Sequence, residues 1–470
     1  MMQTELQAVL LAGGDGLRLY PLASDHSPKA TLPIANHPMI HYSLSYLERN
    51  GLKDVIVVVK AGQQKIIEQA IEEYPGKLKI DIKTLDNKDC ESAEALRQIH
   101  DSIYTNFVVM SVDTFTDVPL VNVYDIHRQH NSSLTLLLKD ESNINSKEDK
   151  SDYFALTNYK REIVGEPTKK RRDLLSKKPS RVIMNRIIDS DDADDGSEEH
   201  LSIPRSFLKR WSNFSISKFL KDSHLYIFSK WVIDLLVQKP DIHSIKSDLV
   251  PFLIDSQKVS SDKLDPVLST VVTPFPLSEA YRMSTSESEL SDVIRVFAHV
   301  VPPHEDKPTT TTTAAKTPTR QGVFCKRCND VSSYLHVNRE LARKNNIDFY
   351  SEMVQSTHVT PPADLVLLGP DCVIGEGLSV TKKVSKPTIK KSNIGKNCSL
   401  GSGVLIDNSV IMGNVIIEDK VHLKDCVISS GSVIEAGTKM ERCRVAPNFT
   451  VKKDDETYTD QDIMADEMEI

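Results

Sequence analysis

No run of this sequence is apolar for the roughly 20 consecutive residues that a helix needs to cross a bilayer, which excludes a membrane-spanning helix. No signal-peptide pattern opens the chain, so a soluble protein of the cytosol is expected. Basic charge is not in surplus either. The 58 Lys and Arg stand against 66 Asp and Glu, a net charge of −8. Direct binding of nucleic acid is therefore not expected. Cysteine is sparse, with only Cys90, Cys325, Cys328, Cys372, Cys398, Cys426 and Cys443. An odd, scattered set excludes a disulfide framework and reads as reduced thiols. Cys325-Lys-Arg-Cys328 has no second pair to complete a metal or redox site, and no cofactor is expected.

The chain does contain enough apolar residue for a large core: 39% of its 470 residues are hydrophobic, a length that suggests two to four domains. Strand-like and helix-like segments alternate over the first 140 residues. Residues 7–12, 55–59, 80–82, 107–111 and 134–138 are short apolar or β-branched runs. Between them 39–50, 63–74, 92–104 and 121–129 carry helical periodicity. This rhythm predicts a mostly parallel sheet with helices on both faces. Residues 139–150 read as a polar loop. The basic stretch 168–178 and the acidic stretch 189–199 read as a solvated insertion rather than a binding patch. Residues 217–236 return to strand and helix. The threonine- and proline-rich segment 302–320 reads as a disordered insertion.

A different pattern begins near residue 364. Ile394, Leu400 and Ile406 are six residues apart, as are Ile417 and Leu423, and Ile428 and Ile434. A hexapeptide period marks a left-handed parallel β-helix, in which each aliphatic residue points inward and small residues turn the corners. One coil cannot bury its own face, so coils stack. The period slips to eleven after Ile406 and to five after Leu423 and is interrupted around Val380–Lys391, which suggests loops or an irregular coil. The expected organisation is an α/β domain over 1–345, a left-handed β-helix over 364–452 and an acidic tail over 453–470.

The densest motif is Leu11-Ala12-Gly13-Gly14-Asp15-Gly16-Leu17-Arg18-Leu19, followed by Tyr20-Pro21-Leu22 and Pro28-Lys29. It follows a predicted strand. Glycines let backbone N–H groups approach a phosphate, and Arg18 and Lys29 add positive charge. Gly13, Gly14, Gly16, Arg18 and Lys29 are thus the candidate nucleotide-binding residues. The string resembles the nucleotidyltransferases that join a nucleoside triphosphate to a sugar 1-phosphate. That resemblance implies a Rossmann-like sheet, a loop that cradles the nucleotide, and a carboxylate that helps hold Mg²⁺, here Asp113.

Several positions depart from the family's pattern. Leu17 stands where a hydroxyl residue is usual. Glu91-Ser92-Ala93 places a carboxylate where a glycine opens the segment near the base. Ser111-Val112-Asp113 replaces Gly-Asp. The nearest match to the second metal-binding segment, Trp-x-Asp-x-Gly, is Cys328-Asn329-Asp330-Val331-Ser332. A β-carbon costs close approach, and an unpaired carboxylate repels a triphosphate. These departures point to a retained fold without retained chemistry: no catalytic residue and no metal.

Residues 222–228 and 244–251, with the terminal Met468-Glu469-Ile470, extend a resemblance to the gamma-subunit family of translation initiation factor 2B. It implies a subunit that pairs with an epsilon subunit of similar design. The complex would also hold alpha, beta and delta regulatory subunits and would exchange GDP for GTP on initiation factor 2. The epsilon chain carries the exchange domain beyond its β-helix, so this chain is expected not to hold that site. The alternatives are an active sugar-1-phosphate nucleotidyltransferase, for instance one making GDP-mannose, and a subunit that senses a nucleotide without reacting it.

Overall fold

Aliphatic runs too short for helices, bounded by turns, assemble here into one large sheet. The computed structural model describes residues 6–142 apart from 25–26 and 87–89, then 150–157, 180–189, 208, 211, 213–257, 265–271, 294–303, 323–343, 348–362, 365–381, 385–454 and 457–464. The basic stretch 168–178, nearly all of the acidic stretch 189–199, residues 304–320 and the terminal 465–470 lie outside those residues.

The sheet strands are β1 (Leu6–Leu11), β2 (Asp54–Val59), β3 (Lys79–Thr84), β4 (Asn106–Ser111), β5 (Leu134–Asp140), β6 (Lys150–Thr157), β7 (Ser180–Asp189), β8 (Phe214–Ser217), β9 (Leu220–Phe228) and β10 (Val296–Val301). Their spatial order is β8-β6-β7-β10-β5-β9-β4-β1-β2-β3. β7, β8 and β9 run against the other seven, so the sheet is mostly parallel. Both faces are covered. Ala8 and Leu10 of β1 join one core with helix Met39–Arg49, whereas Val9 joins another with helix Ser92–Gln98. That two-residue alternation, buried on either side, is why the central strands read as continuous apolar runs. The loop expected from residue 139 begins later. Lys139 and Asp140 stay in β5 because β9 continues the ladder, pairing Lys221 with Lys139 and Leu220 with Asp140.

The C-terminal part, from Leu367 to Ile463, is a left-handed β-helix built from three parallel sheets. From Ile389 onward its repeat is more regular than the expected loops and irregular coil, whereas the first coil is longer, Ile374 stacking on Ile394 and Val380 on Leu400, in keeping with the interruption expected around residues 380–391. Ile389, Ile406, Leu423 and Met440 stack in one sheet, and Ile394, Ile411, Ile428 and Val445 in the next. Leu400, Ile417, Ile434 and Val451 form the third. Stacked residues such as Asn408 and Asp425 are 17 positions apart. From Ile389 to Val451 each coil is thus two six-residue sides and one five-residue side, and the slips after Ile406 and Leu423 are that short side. The corners recur at the same interval. Asn397, Asn414, Gly431 and Asn448 all hold positive φ, as do Asn408, Asp425 and Arg442. Left-handed backbone favours Gly, Asn and Asp, which explains most of these corner residues.

The tail expected from residue 453 is corrected in part. Tyr458–Thr459 and Asp462–Ile463 pair onto Lys439–Glu441 and Arg444–Val445 and continue the coil. Tyr458 and Ile463 keep the apolar step, packing against the core, while the acidic side chains face outward. Asp460 takes two hydrogen bonds from Arg442, at 2.6 and 2.7 Å.

The two halves share a core. Val373, Val410, Met412 and Val427 on one side of the β-helix pack with the α/β domain. Asn338, on helix Val331–Ala342, sits at the seam. Its Oδ1 accepts from the Ala35 amide at 3.0 Å and from Asn393 Nδ2 at 2.8 Å. No helix among the described residues is long and apolar enough to cross a membrane.

Candidate functional site

The glycine-rich loop leaves the C-terminal end of β1 and forms one wall of a cleft of about 780 Å³. Leu11 and Ser111, the last residues of β1 and β4, lie at its floor, the usual place for a ligand in an open α/β sheet. Gly14, Gly16, Arg18, Lys29 and Asp113 line it together, so most of the sequence-predicted residues converge. Gly13 does not line it and packs on the next strand end, where an added Cβ would stand 3.2 Å from the Lys60 nitrogen. Gly16 has φ +67°, and an added Cβ would lie 2.9 Å from Ala23 Cβ, so only glycine fits. Leu17 is 80% exposed at the cleft mouth. Asp15 is paired with Lys60.

The floor is dominated by one carboxylate. Asp113 is 1% exposed. Its Oδ2 accepts from Lys29 Nζ at 2.5 Å and from Arg327 Nε at 3.0 Å, while Oδ1 is buried with no partner among the described residues. Burial opposes its ionisation, but the Arg327 guanidinium and the Lys29 ammonium outweigh burial and hold the carboxyl well below the usual range. Arg327 belongs to the short strand Cys325–Arg327, whose ladder sets it opposite Thr114. Its Nη1 donates to His224 Nε2 at 2.9 Å. Because that nitrogen accepts, the His224 ring is neutral. Burial, with Arg327 close by, pushes its pKa well below the ordinary value.

Two expectations drawn from the departures need correction. Asp330 is not a vestige of the metal site: it caps helix Val331–Ala342, accepting from the Ser333 amide at 2.7 Å. Its neighbour Asn329 faces the cleft instead, its amide oxygen oriented to accept from Arg18 Nη1 at 3.3 Å. Glu91 does not confront a ligand as a free carboxylate. It forms a capping box with Glu94 at the start of helix Ser92–Gln98.

The Mg²⁺ of the nucleotidyltransferase fold does not fit these residues. Mg²⁺ in such a site is held by one or two carboxylates that are free to receive it, with water and substrate phosphates completing its shell. Asp113 offers a single buried oxygen beyond the one it shares with Lys29 and Arg327, and those two fixed cations would repel an incoming metal. Among the described residues no group of three or more His, Cys, Asp or Glu could hold a metal ion. Cys325 and Cys328 are both buried, and burial pushes both thiols up; Cys325 donates to Ser223 Oγ at 3.1 Å.

Sequence reasoning missed Arg327, His224, Lys246 and Asn185. Lys246 lies in a segment already set apart by its pattern, and it pairs with the buried Asp152 at 2.8 Å. Arg327 sits inside the CxxC spacing, which drew attention to the wrong side chains. Nothing in the local sequence marks Asn185.

Residues 7–146 match the family model described as Nucleotidyl transferase, and 369–454 match GlmU-like, C-terminal hexapeptide. Fold and site thus define a nucleotidyltransferase-like domain joined to a hexapeptide β-helix. The chain is 29% identical over 447 residues to translation initiation factor eIF2B subunit gamma of Dictyostelium discoideum, covering 85% of this chain and 89% of that one. Identity to the gamma subunit of Schizosaccharomyces pombe is 29% over 380 residues, covering 80% and 72%. The eIF2B subunit epsilon of the same yeast is 30% identical over 148 residues, 29% of this chain and 22% of that one. Over most of its length the chain is thus similar in sequence to gamma subunits of translation initiation factor eIF2B.

Proposed function

We propose that this chain is a non-catalytic subunit of the cytosolic eIF2B complex, pairing with an epsilon subunit to promote GDP/GTP exchange on initiation factor 2. The observation that carries the reading is similarity to gamma subunits that runs through both halves of the molecule. The α/β unit and the β-helix, here taken to extend through residue 464, offer long rigid surfaces, and both are proposed to meet the epsilon subunit. The alpha, beta and delta subunits complete the proposed assembly. The direct test is reconstitution. Exchange of labelled GDP from initiation factor 2 should be faster with epsilon plus this chain than with epsilon alone. Equal rates would remove the proposal.

The cleft supports the non-catalytic part. An enzyme of this fold needs its floor carboxylate for metal, whereas Asp113 is engaged by Lys29 and Arg327. A pyrophosphate-release assay with a panel of triphosphates, sugar 1-phosphates and Mg²⁺ should give no turnover. Turnover abolished by Asp113→Ala would instead favour the nucleotidyltransferase reading. Gly14, Gly16 and Arg18 still line a cleft large enough for a nucleotide, and that favours a second reading in which the subunit senses a ligand it does not transform.

A further inference from the structure

The cleft carries more positive charge than its own walls neutralise. Arg18, Lys29, Lys246 and Arg327 line it against only Asp15 and Asp113, in a chain whose net charge is −8. Lys60 engages Asp15, Asp152 engages Lys246, and Asp113 is shared by Lys29 and Arg327. The surplus rests on Arg18 and Arg327. A guanidinium has five N–H donors. Arg327 spends one on Asp113 and one on His224, and its remaining N–H groups make no other hydrogen bond or ion pair among the described residues while its side chain lines the cleft 31% exposed.

A second, independent feature lies on the same wall. Asn185 of β7 lines the cleft at 5% exposure, and neither its amide nitrogen nor its oxygen has a partner among the described residues. Leaving a buried amide unpaired costs free energy, and a ligand group that both donates and accepts, such as a hydroxyl, would satisfy it. Phosphate on one side and hydroxyls on the other is the chemistry of a phosphorylated sugar or nucleoside.

We infer that the cleft binds a hydroxyl-bearing organic phosphate without a divalent metal, Arg327 serving as the fixed cation beside Asp113 and Asn185 reading a hydroxyl. The fold's metal is replaced by a residue of the chain. Arg327 supplies the positive charge that the metal would bring, and its pairing with Asp113 keeps the metal out. This rests on the non-catalytic reading of the same cleft.

The test is calorimetric titration of the full chain with GTP and with inorganic pyrophosphate, each in EDTA and in Mg²⁺, alongside Mn²⁺ titration followed by electron paramagnetic resonance. Both probes should bind at least as tightly in EDTA as in Mg²⁺, which chelates the phosphates and lowers their charge, and the wild-type chain should take up no Mn²⁺. Arg327→Ala should weaken both probes at least about tenfold, as loss of a charge-assisted contact does, with partial rescue by Arg327→Lys. Asn185→Ala should weaken GTP several-fold and leave pyrophosphate, which has no hydroxyl-bearing moiety, unchanged. Binding that vanishes in EDTA, stoichiometric Mn²⁺ uptake, no binding of either probe, or indifference to Arg327→Ala would each overturn the inference. The Mn²⁺ arm needs no variant, so it decides even if a substitution unfolds the chain. Release of pyrophosphate from GTP and a sugar 1-phosphate would defeat the non-catalytic reading separately, whatever the metal result.

Discussion

An interior side chain of the β-helix meets an equivalent residue one coil away on each side, as Ile411 and Val445 flank Ile428. A charged side chain of the cleft has partners that occur once. Lys29, Asp113 and Arg327 come from three distant segments and meet at a single carboxylate. The β-helix therefore spreads its stability over repeated apolar contacts, and no single position is unique. The cleft concentrates opposed charges where water is scarce, so its stability rests on a few exact pairings whose loss leaves charge behind.

The sharpest way to break that contrast is Asp113→Ala. It strands Lys29 and Arg327 without their shared carboxylate and should cost about 3 kcal/mol, read by urea unfolding. A loss below about 1 kcal/mol would mean that the cluster is solvated and the contrast false. The same group sets a pH signature. Its folded pKa is depressed, so its contribution is complete above the unfolded value near 4 and fades as pH falls further. Wild type should therefore lose stability below about pH 4 more steeply than Asp113→Asn.

Next in size is Ile428→Ala, which removes a fully buried side chain from the β-helix and should cost about 2–4 kcal/mol with no pH dependence of its own. Smaller still, Gly16→Ala should cost about 1–2 kcal/mol, from its left-handed backbone and the contact with Ala23. Gly14→Ala, with nothing near the added carbon, should stay within about 0.5 kcal/mol. Equal effects at the two glycines would contradict the loop geometry. Asp330→Ala should cost about 1 kcal/mol through loss of the helix cap and should leave ligand binding untouched. A selective loss of binding would return Asp330 to the site.

What was legible in the sequence follows the same division. The sheet strands and the β-helix announce themselves by period, because every second or every sixth residue faces one environment. Even so, Ile411 was passed over, and a regular short side then looked like a slip. Tyr458 and Ile463 hid behind acidic neighbours that face outward, so composition suggested a tail where spacing continued the coil. The glycine loop was legible because several residue types must coincide within a few positions. Its electrostatics were not. Asp113 is assigned by the resemblance to the nucleotidyltransferases, but Arg327 lies 214 residues further on, and no local pattern says that a guanidinium will close on that carboxylate. Asp330 and Glu91 misled for the converse reason: a carboxylate in a string does not disclose whether it faces a ligand or caps a helix.

The central claim is that this molecule works through its surfaces within an assembly rather than through its cleft. Affinity purification of the natively expressed full chain, with its stable partners identified and quantified by mass spectrometry, tests it most directly. The expected result is stoichiometric recovery of an eIF2B epsilon subunit together with alpha, beta and delta subunits. Recovery of the chain alone, or only with further copies of itself, would contradict it.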